Sequence, residues 1–222
     1  MNRIWLFTAI IIVIILYIGL SLRYYYKVEK TNITILQCDV NTFEPQILKE
    51  KMPIVCRGVG FLDDLQKEYK KINKNLETQK TTTLDIYNSL RIQPIFCKRN
   101  NIIWKNQKSD VNKLVQSRCD YLMLIQISGK QEISVYDPKS LDFLNHLVKQ
   151  DSDNLYKINK PTDNIKEYSK ASYINIIMNE GDALILPFQW WYSLNNSKEL
   201  QCNYCILSWE NKFTKYINPL FL

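Results

Sequence analysis

At 222 residues, with 46% hydrophobic and 23% charged residues, the chain is long enough for one cored domain plus an appendage and too apolar to be disordered. Five glycines and seven prolines exclude a low-complexity or collagen-like chain. The net charge of +7 comes from dispersed lysines alternating with acidic and amide residues, as in Lys67-Glu-Tyr-Lys-Lys71, and this reads as a solvated surface with no specific nucleic-acid site, mild attraction for anionic lipid headgroups being the second reading.

The first element is the uncharged run from Ile4 to Leu22, bounded by Arg3 and Arg23. As a helix it would be about 28 Å long, close to the thickness of a bilayer's hydrocarbon core. Trp5 stands near one end and Tyr17 and Tyr24 to Tyr26 near the other, where interfacial aromatic residues belong. No small-x-small cleavage site follows Leu22, so a signal peptide fits less well. The sequence therefore predicts one transmembrane helix, with the bilayer as a partner through residues 4–22. Residues 1–30 form an anchor and juxtamembrane segment, and residues 31–222 a globular domain. Arg23, Lys27 and Lys30 outweigh Arg3 and the amino terminus, which places residues 23–222 on the cytosolic side of a single-pass membrane protein. Cysteines without a disulfide framework agree with a reducing compartment. The sequons Asn32-Ile-Thr34 and Asn195-Asn-Ser197 point the other way.

Beyond the anchor, strands are predicted at Ile33 to Gln37 and Pro53 to Cys56. Apolar residues at Phe61, Leu62, Leu65, Tyr69, Ile72 and Leu76 have helical spacing. Leu84 to Leu90 and Ser109 to Val115 read as shorter helices, the latter with capping chemistry at Ser109-Asp110. Tyr121 to Ile127 and Gln131 to Tyr136, separated by Ser128-Gly-Lys130, have the signature of a hairpin. Ser140 to Val148 reads as a short helix and residues 150–170 as a polar surface loop. Strands then follow at Tyr173 to Met178, Ala183 to Leu186, Trp190 to Leu194 and Asn203 to Trp209, so a β-barrel or sandwich flanked by helices is expected.

The six cysteines are Cys38, Cys56, Cys97, Cys119, Cys202 and Cys205. Only Cys202-Asn-Tyr-Cys205 has zinc-like spacing, but on a strand those two side chains point to opposite faces. Buried thiols are the expected reading, with a redox pair as the alternative.

Two segments carry a family resemblance. Tyr121 to Pro138 (YLMLIQISGKQEISVYDP) runs strand, Gly-centred turn, strand, Pro. Glu180 to Leu194 (EGDALILPFQWWYSL) runs Gly-Asp turn, strand, Pro, paired Trp. Together with Asn41 to Leu48 (NTFEPQIL), where a helix leads into a strand at Met52 to Gly58 (MPIVCRG), they resemble the cupin-like domain of the JmjC type over most of residues 40–210. The resemblance implies a mainly β fold with flanking helices (α+β), a double-stranded β-helix of the cupin or jelly-roll kind, preceded here by the transmembrane helix. Active members of that family are Fe(II)- and 2-oxoglutarate-dependent oxygenases, whose iron is held by two His and one carboxylate. Carried onto this chain, the first His-x-carboxylate falls at Gln116-Ser-Arg118, with Asp120 close by. The distal His falls at Tyr192, and the co-substrate clamp at Gln131 with Lys130 adjacent.

The chain contains one histidine, His146, outside both motifs. No catalytic, cofactor-binding or metal-binding residue and no cofactor is therefore expected, and Trp190, Trp191, Tyr192 and Trp209 read as core packing. The implied function is a membrane-anchored, non-catalytic domain in a binding or scaffolding role, with an unspecified protein or small-molecule ligand. One alternative is a divergent Fe(II)/2-oxoglutarate oxygenase-like or hydrolytic enzyme. Another is a structural membrane protein of a viral particle, since the Lys-, Asn- and Ile-rich chain resembles cupin-like membrane proteins of large DNA viruses.

Overall fold

The computed structural model describes residues 2–26, 33–39, 43–74, 97–99, 102–106, 113–150, 155–160, 168–195 and 202–211. The chain divides into two compact units, Met1–Lys30 and Thr31–Leu222.

The first unit is helix α1, Asn2–Tyr26. Its described side chains run from Trp5 to Gly19 and all are exposed. Among the described residues no helix is long and apolar enough to cross a membrane. The helix matches the sequence reading, but the transmembrane span predicted over residues 4–22 is not found among the described residues.

The second unit contains strands β1 (Leu36–Asp39), β2 (Ile54–Arg57), β3 (Cys97–Arg99), β4 (Ile103–Asn106), β5 (Lys113–Gln116), β6 (Tyr121–Ser128) and β7 (Gln131–Tyr136). They are followed by β8 (Lys149–Gln150), β9 (Tyr156–Asn159), β10 (Tyr173–Met178), β11 (Ala183–Pro187), β12 (Trp191–Leu194) and β13 (Asn203–Asn211). A seven-stranded sheet has the order β1-β2-β11-β6-β13-β3, with β4 also pairing β13; a six-stranded sheet has the order β10-β7-β12-β5-β9-β8. All described pairings are antiparallel except β1 with β2.

Successive strands from β5 to β7, and again from β10 to β13, alternate between the sheets, which is a jelly-roll winding. The hairpin expected at Ser128-Gly-Lys130 is thus corrected. β6 pairs β11 and β13, whereas β7 pairs β10 and β12. Gly129, at φ 74°, turns the chain out of one sheet and into the other.

The space between the sheets is filled from both sides. Val55, Leu122, Leu124, Leu184 and Ile206 meet Val115, Ile133, Val135, Met178, Tyr192 and Leu194 in one buried cluster. The outer face of the seven-stranded sheet carries a second cluster with Ile54, Cys56, Met123, Ile125 and Ile185. It is covered by Leu65, Phe61 and Tyr69 of helix α2 (Leu62–Lys74) and its first turn, and by Leu48 and Ile47 of a 3-10 helix at Pro45–Glu50. On the outer face of the six-stranded sheet, Leu114, Tyr136 and Trp191 pack under Leu141 and Leu144 of the 3-10 helix Pro138–Leu147.

Helix α2 lies where the apolar spacing predicts it, and the helices expected near residues 41–48 and 140–148 are 3-10 helices. Asp137 immediately precedes the latter, and its side chain accepts from Lys139 N at 2.8 Å. The helix predicted at Ser109 to Val115 is corrected where it is described, since Lys113–Gln116 is β5. With β12 on one side and β9 on the other, its backbone groups are paired laterally, and Leu114 and Val115 are buried on opposite faces. The surface loop predicted for residues 150–170 is also corrected. It contains β9, and Leu155 and Lys157 are buried. Strands β3 and β4 were not anticipated, and the helix predicted at Leu84 to Leu90 lies outside the described residues.

Candidate functional site

The two segments that would supply iron ligands in the resembled family are brought together. Ser117 N donates to Trp190 O at 2.8 Å, and Gln189 N donates back to Ser117 O. Gln189 adopts φ 68°, the left-handed turn that lets the chain leave β11 at Pro187 and re-enter as β12. β12 then pairs β5 with Trp191 opposite Gln116 and Tyr192 opposite Val115.

This register separates the side chains. Tyr192 and Val115 belong to the cluster between the sheets, whereas Trp191 and Leu114 belong to the cluster outside. Alternation along β5 puts Gln116 on the outer face with Leu114 and Trp191. Gln116 Oε1 accepts from Arg118 Nε at 2.6 Å, and the Arg118 guanidinium lies 4.8 Å from the centre of the Tyr156 ring. Burial lowers the Arg118 pKa, with Tyr156 acting in the opposite direction. Gln116 and Arg118 thus form a stacked unit on one face of the sheet, and Tyr192 lies on the other, fully buried.

Gln131 is 1% exposed, and its Nε2 donates to Glu132 O at 2.9 Å and to Asn195 O at 2.7 Å. Those bonds tie the end of β12 to β7. Lys130 is exposed, and its carbonyl accepts from Cys202 Sγ at 3.0 Å. Cys205, two strand positions inside β13, packs in the cluster over the seven-stranded sheet, so the Cys202/Cys205 sulfurs do not converge. Asp120 is buried at the approach to β6. His146 lies on the 3-10 helix Pro138–Leu147, an element that carries neither motif. Among the described residues no three His, Cys, Asp or Glu side chains gather to hold a metal ion.

The Gly-Asp pair has a structural task. Gly181 has φ 81°, and a Cβ there would stand 3.2 Å from Leu62 Cδ2. Gly181 O accepts from Val59 N at 2.7 Å and Gly181 N donates to Gln126 O at 2.9 Å. Asp182 Oδ2 accepts from Asn179 N at 2.8 Å and from Arg57 Nη1. The turn therefore joins β2, β6, β10 and β11.

Sequence reasoning missed Tyr156, the stacking partner of Arg118. Its signal was the alternation Tyr156-Lys-Ile-Asn159 inside an otherwise polar stretch. It also missed Arg57, which only the fold brings to Asp182, 125 residues away. Of the two sequons, Asn195 Nδ2, the atom N-glycosylation uses, donates to Ser134 Oγ at 3.0 Å, and Asn32 lies outside the described residues.

A family model described as a cupin-like domain matches residues 103–215, just over half of the chain and the part that runs from β4 through β13. No curated protein matches the chain.

Proposed function

The chain belongs to the cupin-like family, and from that membership we propose that it is a membrane-tethered module that binds or scaffolds and does not catalyse. One observation carries the reading: Tyr192, where the resemblance puts the distal His, is buried between the sheets, while Gln116 and Arg118 are engaged with each other on the opposite face. A phenol, a carboxamide and a guanidinium do not fit Fe(II), which calls for imidazole nitrogens and a carboxylate. The single histidine of the chain, His146, stands on a different element.

Two further features support the reading. Trp190, Trp191 and Tyr192 are each 2% exposed or less, so the fold's interior is occupied by its own side chains and recognition belongs to the outer surface. For the tether, α1 runs from Asn2 to Tyr26 and contains the whole uncharged segment from Ile4 to Leu22. Its basic downstream flank favours a cytosolic domain.

The test is iron and 2-oxoglutarate loading of the full chain in detergent, together with carbonate extraction of membranes that carry it. Substoichiometric iron, no 2-oxoglutarate turnover above background and retention in the membrane pellet are expected. One iron per chain or clear turnover overturns the non-catalytic reading, and release into the supernatant overturns the tether. A glycosidase-sensitive mass shift overturns the cytosolic orientation.

A further inference from the structure

The geometry points to Cys38 and Cys56 as a redox pair that closes to a disulfide, and reopens, by exchange with a low-molecular-weight disulfide. Strands β1 and β2 run parallel with Cys38 directly opposite Cys56. The two Sγ atoms are 3.1 Å apart, closer than sulfurs normally pack without bonding. Paired strands lie about 4.8 Å apart, within the Cα separation a disulfide spans, so closure requires no movement of the backbone.

Access is asymmetric. Cys38 is half-buried at the sheet edge, whereas Cys56 is 4% exposed and lies in the cluster beneath α2. Beside Cys38 opens a cleft of about 400 Å³, lined by Leu36, Ile47, Lys49, Glu50 and Ile54. Its mixed lining of polar and apolar side chains suits a small peptide-like disulfide, and Lys49 offers a cation to a carboxylate of that reactant. Burial, reinforced by the neighbouring Cys38, pushes the Cys56 thiol pKa up, so Cys56 is the poorer first nucleophile.

Exchange then has a defined order. The Cys38 thiol loses its proton and attacks one sulfur of the small disulfide, whose other sulfur departs and takes up a proton. Cys56 next loses its proton and attacks the Cys38 sulfur, expelling the second small thiol. Two protein thiols are oxidised to one disulfide, and one small disulfide is reduced to two thiols. The bond joins residues 18 apart in sequence and brackets the 3-10 helix that walls the cleft. Oxidation therefore clamps edge strand β1 to β2 and fixes that wall.

The experiment equilibrates the full chain in detergent, natively folded, with glutathione buffers of increasing oxidised fraction. Remaining thiols are alkylated and tryptic peptides are mapped without reduction. A cross-link between peptides 31–49 and 52–57 is expected, growing with the oxidised fraction and reversed by excess reduced glutathione. C38S should leave Cys56 unmodified, and C56S should trap a glutathione adduct on Cys38. Thermal unfolding of each variant verifies that it is folded, and the wild-type map alone decides the pairing. Full alkylation of both thiols in oxidised buffer overturns the proposal. So does a wild-type adduct on Cys38 that never resolves, or a link from Cys38 to another cysteine.

Discussion

Strands β6 and β11 lie inside the seven-stranded sheet with both faces covered, whereas β10 lies at the edge of the six-stranded sheet with one face open. In β11 all five residues are buried, and successive ones serve different clusters: Leu184 the space between the sheets, Ile185 the layer under α2. In β10 burial alternates, with Ile176 and Met178 buried and Tyr173 and Ile177 exposed. A strand covered on both sides reads as an unbroken apolar run; one covered on a single side reads as an alternation. The difference explains the candidate site. β12 is a strand of the first kind, with every residue buried, and its Tyr192 packs between the sheets.

Truncating the same residue type in the two settings sharpens the contrast most. Tyr192→Ala in β12 is expected to cost about 3–5 kcal/mol of unfolding free energy in urea titration, as removal of a fully buried ring does. Tyr173→Ala in β10, where the ring is 54% exposed, is expected to cost under about 1 kcal/mol. Equal costs would break the comparison.

An aliphatic pair repeats it. Ile185→Ala is expected to cost about 2–5 kcal/mol, and Ile177→Ala to stay within about 0.5 kcal/mol. The first position is 0% exposed and the second 49%.

A polar version concerns Asp182, which serves Arg57 on β2 and the backbone of Asn179 after β10. Asp182→Ala leaves the Asn179 N–H without this acceptor and should lower stability by about 1–3 kcal/mol. Asn179 amide exchange should accelerate relative to amides in β6.

The cluster over the seven-stranded sheet also carries an alkaline sensitivity. Burial raises the thiol pKa of both Cys56 and Cys205 above the ordinary value. The folded state holds these protons more tightly than the unfolded chain. Their stabilising effect is therefore complete below the unfolded thiol pKa and declines as pH rises above about 9, by up to about 1.4 kcal/mol per group per pH unit. The thermal midpoint should fall between about pH 9 and 11, and Cys205→Ala should flatten that slope.

The smallest effect belongs to Tyr192→Phe, which keeps the ring and is expected to change stability by about 1 kcal/mol or less. Tyr192→His should take up no iron, because Gln116 and Arg118 remain on the opposite face. Iron binding by the histidine variant would show that β12 retains a ligand site.

Much of this was written in local pattern. The Gly-Asp turn at Gly181 announces itself because φ 81° favours a residue without a Cβ. Helix α2 follows from its apolar spacing, and the lack of a two-histidine site follows from counting one histidine. The strands around Gly129 and Pro187 were legible as strands, but their partners were not. A Gly-centred turn between apolar runs looks the same whether the chain folds back within one sheet or crosses to the other.

The sequence by itself determined an uncharged helical segment and a β-rich domain of the cupin-like kind. These are matters of residue type, period and order along the chain. Tertiary structure alone decided that Tyr192 and Gln116 face opposite sides of a sheet, that Lys113–Gln116 is a strand, that Tyr156 stacks on Arg118, and that Cys38 meets Cys56. Each depends on which strands pair and in what register. Register is set by how distant apolar faces bury one another, so no window of neighbouring residues contains it.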